Sequence, residues 1–188
     1  MALPAIVEEA YARSANANFS MSSEPGVGWL LAALSASAPH GGRILELGTG
    51  VGVGTAWIVH GLRQRGDVEV VTVEEDSERA SLAKQAAWPA YVRFLVADVL
   101  TVLDDLGGFD LIFADAQGGK WASLDRTMAV IEPGGHLVVD DMEPISWSLP
   151  DHEARTREVR KTLLSNNDLI CAELHTSSGI ILATRRRD

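Results

Sequence analysis

The chain has 188 residues, 46% of them hydrophobic, and a formal net charge of −10. That length and apolar content are enough for one substantial core, so residues 1–188 are expected to form one domain. The acidic balance argues against a broad nucleic-acid or anionic-membrane interface, since both need a basic face.

The basic run Arg185-Arg186-Arg187 reads as a solvated surface cluster. Cys171 stands alone, so no intrachain disulfide can form, which suits a reducing cytoplasm. The opening residues include Glu8 and Glu9 and lack a basic flank before an apolar run, so no secretory signal is expected. No uncharged apolar stretch is long enough to span a bilayer.

Residues 1–20 carry a weak helical pattern through Ile6, Val7, Ala10 and Tyr11, suited to a cap or lid. Ser22-Ser23-Glu24-Pro25-Gly26 is turn chemistry, and an apolar helix is expected over 27–34. Residues 38–42 break that helix and separate an N-terminal cap (1–40) from the core (41–188). Ile44, Leu45 and Leu47 then read as a short buried strand. Gly48, Gly50, Gly52 and Gly54 form a glycine-rich turn, and helical spacing runs over 53–62.

Gly66-Asp67 turns into a β-branched strand over 68–73, and Ser77 is a plausible N-cap for a helix over 78–88. Pro89 stops that helix before a strand at 92–96, with Asp98 just past its end. A short helix to Leu106 and Gly107-Gly108 lead to a strand at 109–114, with Asp115 at its carboxyl end. A helix over 120–131 is expected to end at Pro133-Gly134-Gly135, a turn into a strand at 136–139 that finishes in Asp140-Asp141. A loop with Pro144 and Pro150 precedes a helix over 152–164. Strands near 169–174 and 179–184 flank Thr176-Ser177-Ser178 as a hairpin. Strand and helix alternate five times before this β-pair. The pattern predicts an α/β Rossmann-like, doubly wound sheet, mostly parallel with an antiparallel C-terminal strand, and ligands above the strand carboxyl ends.

A dinucleotide fingerprint needs Gly-x-Gly-x-x-Gly or Ala. Counted from Gly48, Gly50 or Gly52, the sixth position is Val53, Thr55 or Trp57, so every register fails. Present instead is Glu46-Leu47-Gly48-Thr49-Gly50-Val51-Gly52, which resembles the first motif of class I S-adenosylmethionine-dependent methyltransferases. Glu74 or Glu75, ending the second strand, matches the family's ribose-binding acid. Asp98 matches its adenine-side acid, and the segment from Phe109 to Ala116 its fourth-strand motif. The resemblance assigns cofactor contacts to Ser22, Glu46, Gly48, Thr49, Gly50, Gly52, Thr55, Glu74, Glu75, Asp98, Val99 and Asp115.

Within that class, Asp115-Ala116, the approach from Ile131 to Asp140, and the ending from Ser178 to Arg185 are similar to the catechol and caffeoyl-coenzyme A O-methyltransferase group. The group implies methyl transfer to a hydroxyl of a small molecule. It also implies a divalent cation such as Mg²⁺, here held by Asp115, Asp140 and Asp141, and dimers are common in it. Two positions depart from the group. Its catalytic lysine falls where this chain has Gly118, and Asp141 replaces an asparagine. Lys120, two residues later, either reaches the site beside Asp115 as a catalytic group or is an ordinary first-turn helix residue. A metal-independent enzyme and a non-catalytic S-adenosylmethionine-binding protein therefore stay open, with a nicotinamide oxidoreductase further off. His40, His60, His136, His152 and His175 show no paired metal spacing, and His152 is the best base candidate among them. Trp121, Trp147 and Tyr11 are candidates to line an aromatic acceptor pocket, with plain packing at least as good a reading for each.

Overall fold

Short β-branched and leucine-rich runs separated by amphipathic segments fold as their spacing demands. The computed structural model describes residues 2–143 and 151–187. The expected loop with Pro144 and Pro150, and Trp147 within it, lie outside the described residues. In chain order the elements begin α1 (Ala5–Asn16), α2 (Pro25–Ala36), β1 (Arg43–Leu47), α3 (Val53–Leu62), β2 (Glu69–Glu74), α4 (Ser77–Ala83), β3 (Val92–Val96) and α5 (Val99–Val102). They continue with β4 (Phe109–Ala114), α6 (Gln117–Lys120), α7 (Leu124–Ala129), β5 (Ile131–Val139), α8 (His152–Leu164), β6 (Leu169–Leu174) and β7 (Ile180–Arg185).

Seven strands make one sheet in the order β3-β2-β1-β4-β5-β7-β6. The first five strands pair in parallel, while β7 runs antiparallel to both β5 and β6. The chain winds outward from β1 to β3 and then crosses to β4. The strand order therefore reverses between β1 and β4, and their carboxyl ends splay apart there. That switch point is where the glycine turn and Asp115 emerge.

Side chains alternate across each strand. Leu45 and Leu47 face a core shared with Leu103, Leu124 and Leu163, while Ile44 faces Leu31, Trp57 and Ile58 under α1–α3. Trp57 is fully buried and meets Trp29 edge-on with ring centroids 4.8 Å apart. Burying each such large side chain stabilises the fold by about 1.5–3 kcal/mol, which clamps α3 and the turn before it to the sheet.

Three local readings are corrected. Asp76, not Ser77, caps α4, its side chain accepting from the Glu78 and Arg79 amides, and the helix ends at Ala83. The expected helix over 120–131 is split. Gly118 and Gly119 take non-helical angles in α6, and α7 begins only at Leu124. Finally, β5 starts at Ile131, so Pro133-Gly134-Gly135 lies within it, at a register shift against β4 between Phe109 and Leu111.

Candidate active site

The segment after β1 turns tightly over the switch point. Gly48 sits at φ +103°, where any Cβ would be strained, and would also press to 3.1 Å from the Ala116 amide nitrogen. This lets the end of β1 approach the loop after β4. Between them lies a cleft of about 310 Å³. Gly48, Thr49 and Gly50 form its floor, Glu74, Glu75, Asp98 and Val99 one side, and Asp115 the other.

Glu46 and Thr55, both expected as cofactor contacts, lie buried beneath the turn and are not among the residues lining the cleft. Glu46 shares the face of β1 that looks onto α3, and it is fully buried. Its Oε2 accepts from the Thr55 hydroxyl and, at 2.6 Å, from the Thr72 hydroxyl. Thr49 and Thr72 hydroxyls are 2.5 Å apart, which carries the network up into the turn. Oε1 has no hydrogen-bond partner among the described residues and lies where a Cβ on Gly54 would stand. Burial pushes the Glu46 carboxyl up to about 7, against the pull of its two hydroxyl donors. This carboxyl acts as a brace joining β1, β2 and α3.

Glu74 is nearly buried, whereas Glu75 is exposed. One Glu74 oxygen accepts from the Gly50 amide at 2.8 Å and the other from the Asp76 amide at 3.0 Å, so its carboxylate is held rigidly at the cleft edge. A carboxylate oxygen keeps a second lone pair for a hydroxyl ligand. Asp98 caps α5 through the Leu100 amide at 2.8 Å while lining the cleft.

Sequence reasoning missed the roof. Phe19, Met21, Ser23, Arg79 and Gln117 all line the cleft together with the expected Ser22. Phe19 lies over Gly50, where an added Cβ would come within 3.0 Å of its ring. Arg79 stacks on Phe19 at 5.4 Å. The segment is tied down by Arg13, whose Nε donates to the Val51 carbonyl at 2.7 Å, and by Ser14, bonded to Ser22 at 2.8 Å. The signals in the sequence were the cap-like pattern of residues 1–20 and Ser22 itself.

At the end of β4 and β5 three acids converge. Asp115, Asp140 and Asp141 each offer an oxygen within 4.8 Å of the others. Asp141 is at φ +59°, a left-handed conformation that aspartate tolerates better than most residues. Asp140 Oδ1 accepts from the Asp141 amide at 2.8 Å and from the Ser178 hydroxyl. Burial, with Asp140 next in effect, holds the Asp115 carboxyl well above the usual carboxylate range, and Lys120 pulls it back. Burial and then Asp141 push Asp140 up to about 6, against its two hydrogen-bond donors and Lys120.

Lys120 is not an ordinary first-turn residue. It is 2% exposed, and its ammonium lies among the acids, 2.9 Å from Asp141 Oδ2, 3.8 Å from Asp115 Oδ1 and 3.4 Å from the Asp140 carbonyl. The hard oxygens suit a divalent cation in kind. Their arrangement does not fit one as it stands, because a positive group already lies among them.

Trp121 lines a second cavity of about 330 Å³, with Lys120, Leu124, Asp151, Arg155 and Val159. His152 is buried edge-on against Trp121, its Nε2 3.2 Å from the Glu143 carbonyl, and it does not line the cleft. Tyr11 also lies off the cleft, donating to the Ser23 carbonyl at 2.6 Å.

Residues 45–142 match the family described as a methyltransferase domain. A Mycolicibacterium smegmatis protein bearing the name "Putative O-methyltransferase" is 33% identical over 181 residues, covering 86% of this chain and 81% of that protein. A Mycolicibacterium vanbaalenii protein of the same name is 33% identical over 124 residues. That match covers 61% of this chain and 53% of the relative, so it spans about half of the relative's length. Among solved structures, the Streptomyces achromogenes O-methyltransferase TomG in complex with SAM superposes with a TM-score of 0.82 at 22% identity, over 98% of this chain and 91% of that one. A Bacillus cereus O-methyltransferase in complex with SAH gives 0.81 at 23% identity, over 99% and 93%. The chain belongs to the methyltransferase-domain family, among relatives that carry O-methyltransferase names.

Proposed function

We propose that this protein is an S-adenosylmethionine-dependent O-methyltransferase acting on a hydroxyl of a small molecule, as one domain capped by residues 1–40. The observation that carries the reading is the convergence of the glycine turn, the rigid Glu74 carboxylate and Asp98 on one cleft at the strand switch point. S-adenosylmethionine, when bound there, supplies a methyl group activated on a sulfonium for in-line transfer to oxygen. Glu74 accepts from the ribose hydroxyls, a use for which a carboxylate with fixed amide partners is already oriented. Asp98 and Val99 would take the adenine side, and Gly48, Thr49, Gly50 and Ser22, which also line the cleft, would hold the methionine part.

Asp115 is the one acid of its cluster that lines the cleft, so it is assigned the proton of the acceptor hydroxyl. With that proton held by Asp115, the acceptor oxygen would take the methyl group as the carbon–sulfur bond breaks, giving a methyl ether and S-adenosylhomocysteine. Positioning is the protein's main contribution, since the leaving group departs neutral. Calorimetric titration with S-adenosylhomocysteine and with NAD tests the reading. Binding of the first alone is expected, and binding of NAD alone would overturn it.

A further inference from the structure

We propose that the Lys120 ammonium is the resident cation of the Asp115–Asp140–Asp141 cluster, standing where a divalent ion would sit, so that methyl transfer here proceeds without a bound metal. The placement is built into the backbone. Gly119 takes φ +83°, and a Cβ there would come within 2.5 Å of Leu47 Cδ1 and 2.9 Å of the Thr127 hydroxyl. Its amide donates to the Ala122 carbonyl at 2.8 Å, and its carbonyl accepts from Thr127 at 2.8 Å. This locked turn ends the helical path at Gly118 and sends the next side chain inward. A lysine on a regular helix in its first turn would stay solvated.

Once inside, Nζ meets one oxygen from each of three residues, two carboxylate and one carbonyl. The Trp121 ring, 4.9 Å away, closes another side. A buried ammonium needs such partners, and buried carboxylates need a counter-charge. Each therefore satisfies the other. A divalent ion bound by the same oxygens would lie against Nζ at ion-pair range, in surroundings that screen charge poorly. It could enter only after Lys120 swung out. Asp141 in place of an asparagine fits the same logic, because its carboxylate makes the shortest contact to the ammonium.

The inference deepens the methyltransferase reading and rests on it for the words "methyl transfer", but its test needs no methyl donor. Mn²⁺ binding is followed by electron paramagnetic resonance on the wild type and on a K120M/D141N double variant. The double variant keeps the cluster's net charge, because it removes one ammonium and one carboxylate, and so protects folding. The wild type is expected to leave Mn²⁺ free at about 1 mM, and the double variant to bind it about tenfold more tightly or better. Tight Mn²⁺ binding by the wild type would overturn the proposal. So would a folded double variant that binds no better than the wild type. Failure of S-adenosylhomocysteine to bind would strike the donor reading alone and leave the cation result standing.

Discussion

Two neighbouring strand ends bury carboxyl groups in opposite ways. At β1, Glu46 is met by hydroxyls, with no ion-pair partner among the described residues, and burial pushes its carboxyl up to about 7. At β4 and β5, three acids are met by a lysine ammonium 2.9 Å from the nearest of them. The first arrangement can be relieved by taking up a proton, and it lies under the cleft. The second keeps charge of both signs in place, and Asp115 opens it to the cleft. A carboxyl buried among hydroxyls serves as a brace, whereas one buried beside an ammonium can hold charge where chemistry needs it.

Removing the ammonium should have the largest effect. Lys120→Met leaves three carboxylates facing one another, and urea denaturation should show a loss of about 3–5 kcal/mol, the usual consequence of deleting one partner of a buried ion pair. Adding Asp141→Asn should restore part of it. A cost below about 1 kcal/mol, the scale of an exposed ion pair, would show that the two strand ends are not different in kind.

The Glu46 brace is tested by pH. Its folded-state pKa lies above the unfolded value, so its contribution is fully present below about pH 4.5 and is lost as pH rises through about 7. That shift is about 3 kcal/mol of stability across the window. Glu46→Gln cannot ionise, so the wild-type-minus-variant difference in unfolding free energy should fall by this amount between the two ends. A difference independent of pH would show that Glu46 stays charged.

Smaller effects are expected at the cleft. Glu74→Ala should weaken S-adenosylhomocysteine binding by about 1–3 kcal/mol in calorimetry, the scale of a lost hydrogen bond to a charged group. Exposed Glu75→Ala should change it far less, and the reverse order would move the ribose contact by one residue. The smallest expected effect is none. EDTA should leave turnover unchanged if Lys120 supplies the cluster's positive charge, and lost activity restored by Mg²⁺ would return that task to a metal.

Much of this was legible in the chain because it depended on local pattern. The strands at 92–96 and 109–114 were read with their observed bounds, since each is an apolar run closed by turn residues or an acid. The glycine turn and the cleft-lining Glu74 and Asp98 were readable for the same reason. What escaped depended on distant partners. The motif-like spacing of Glu46 to Gly48 says nothing of its burial, which depends on the threonines on β2 and α3 that donate to it. Lys120 looked like a solvated helix residue because Gly118-Gly119 gives no hint of direction until Leu47 and Thr127 fix the turn. The Ser178 bond to Asp140 joins positions 38 apart and has no local signature.

The Phe19 roof has a consequence in time. A ligand seated on Gly50 lies beneath a ring that is anchored through Ser14 and the Arg13 bond to Val51. The expected consequence is that exchange of a ligand seated there depends on movement of the segment around Phe19. Trimming the ring by Phe19→Ala should quicken both arrival and departure of S-adenosylhomocysteine in stopped-flow traces while shifting the equilibrium little. Residence time is then expected to be tunable at Phe19, just beyond α1, without touching the groups assigned to binding.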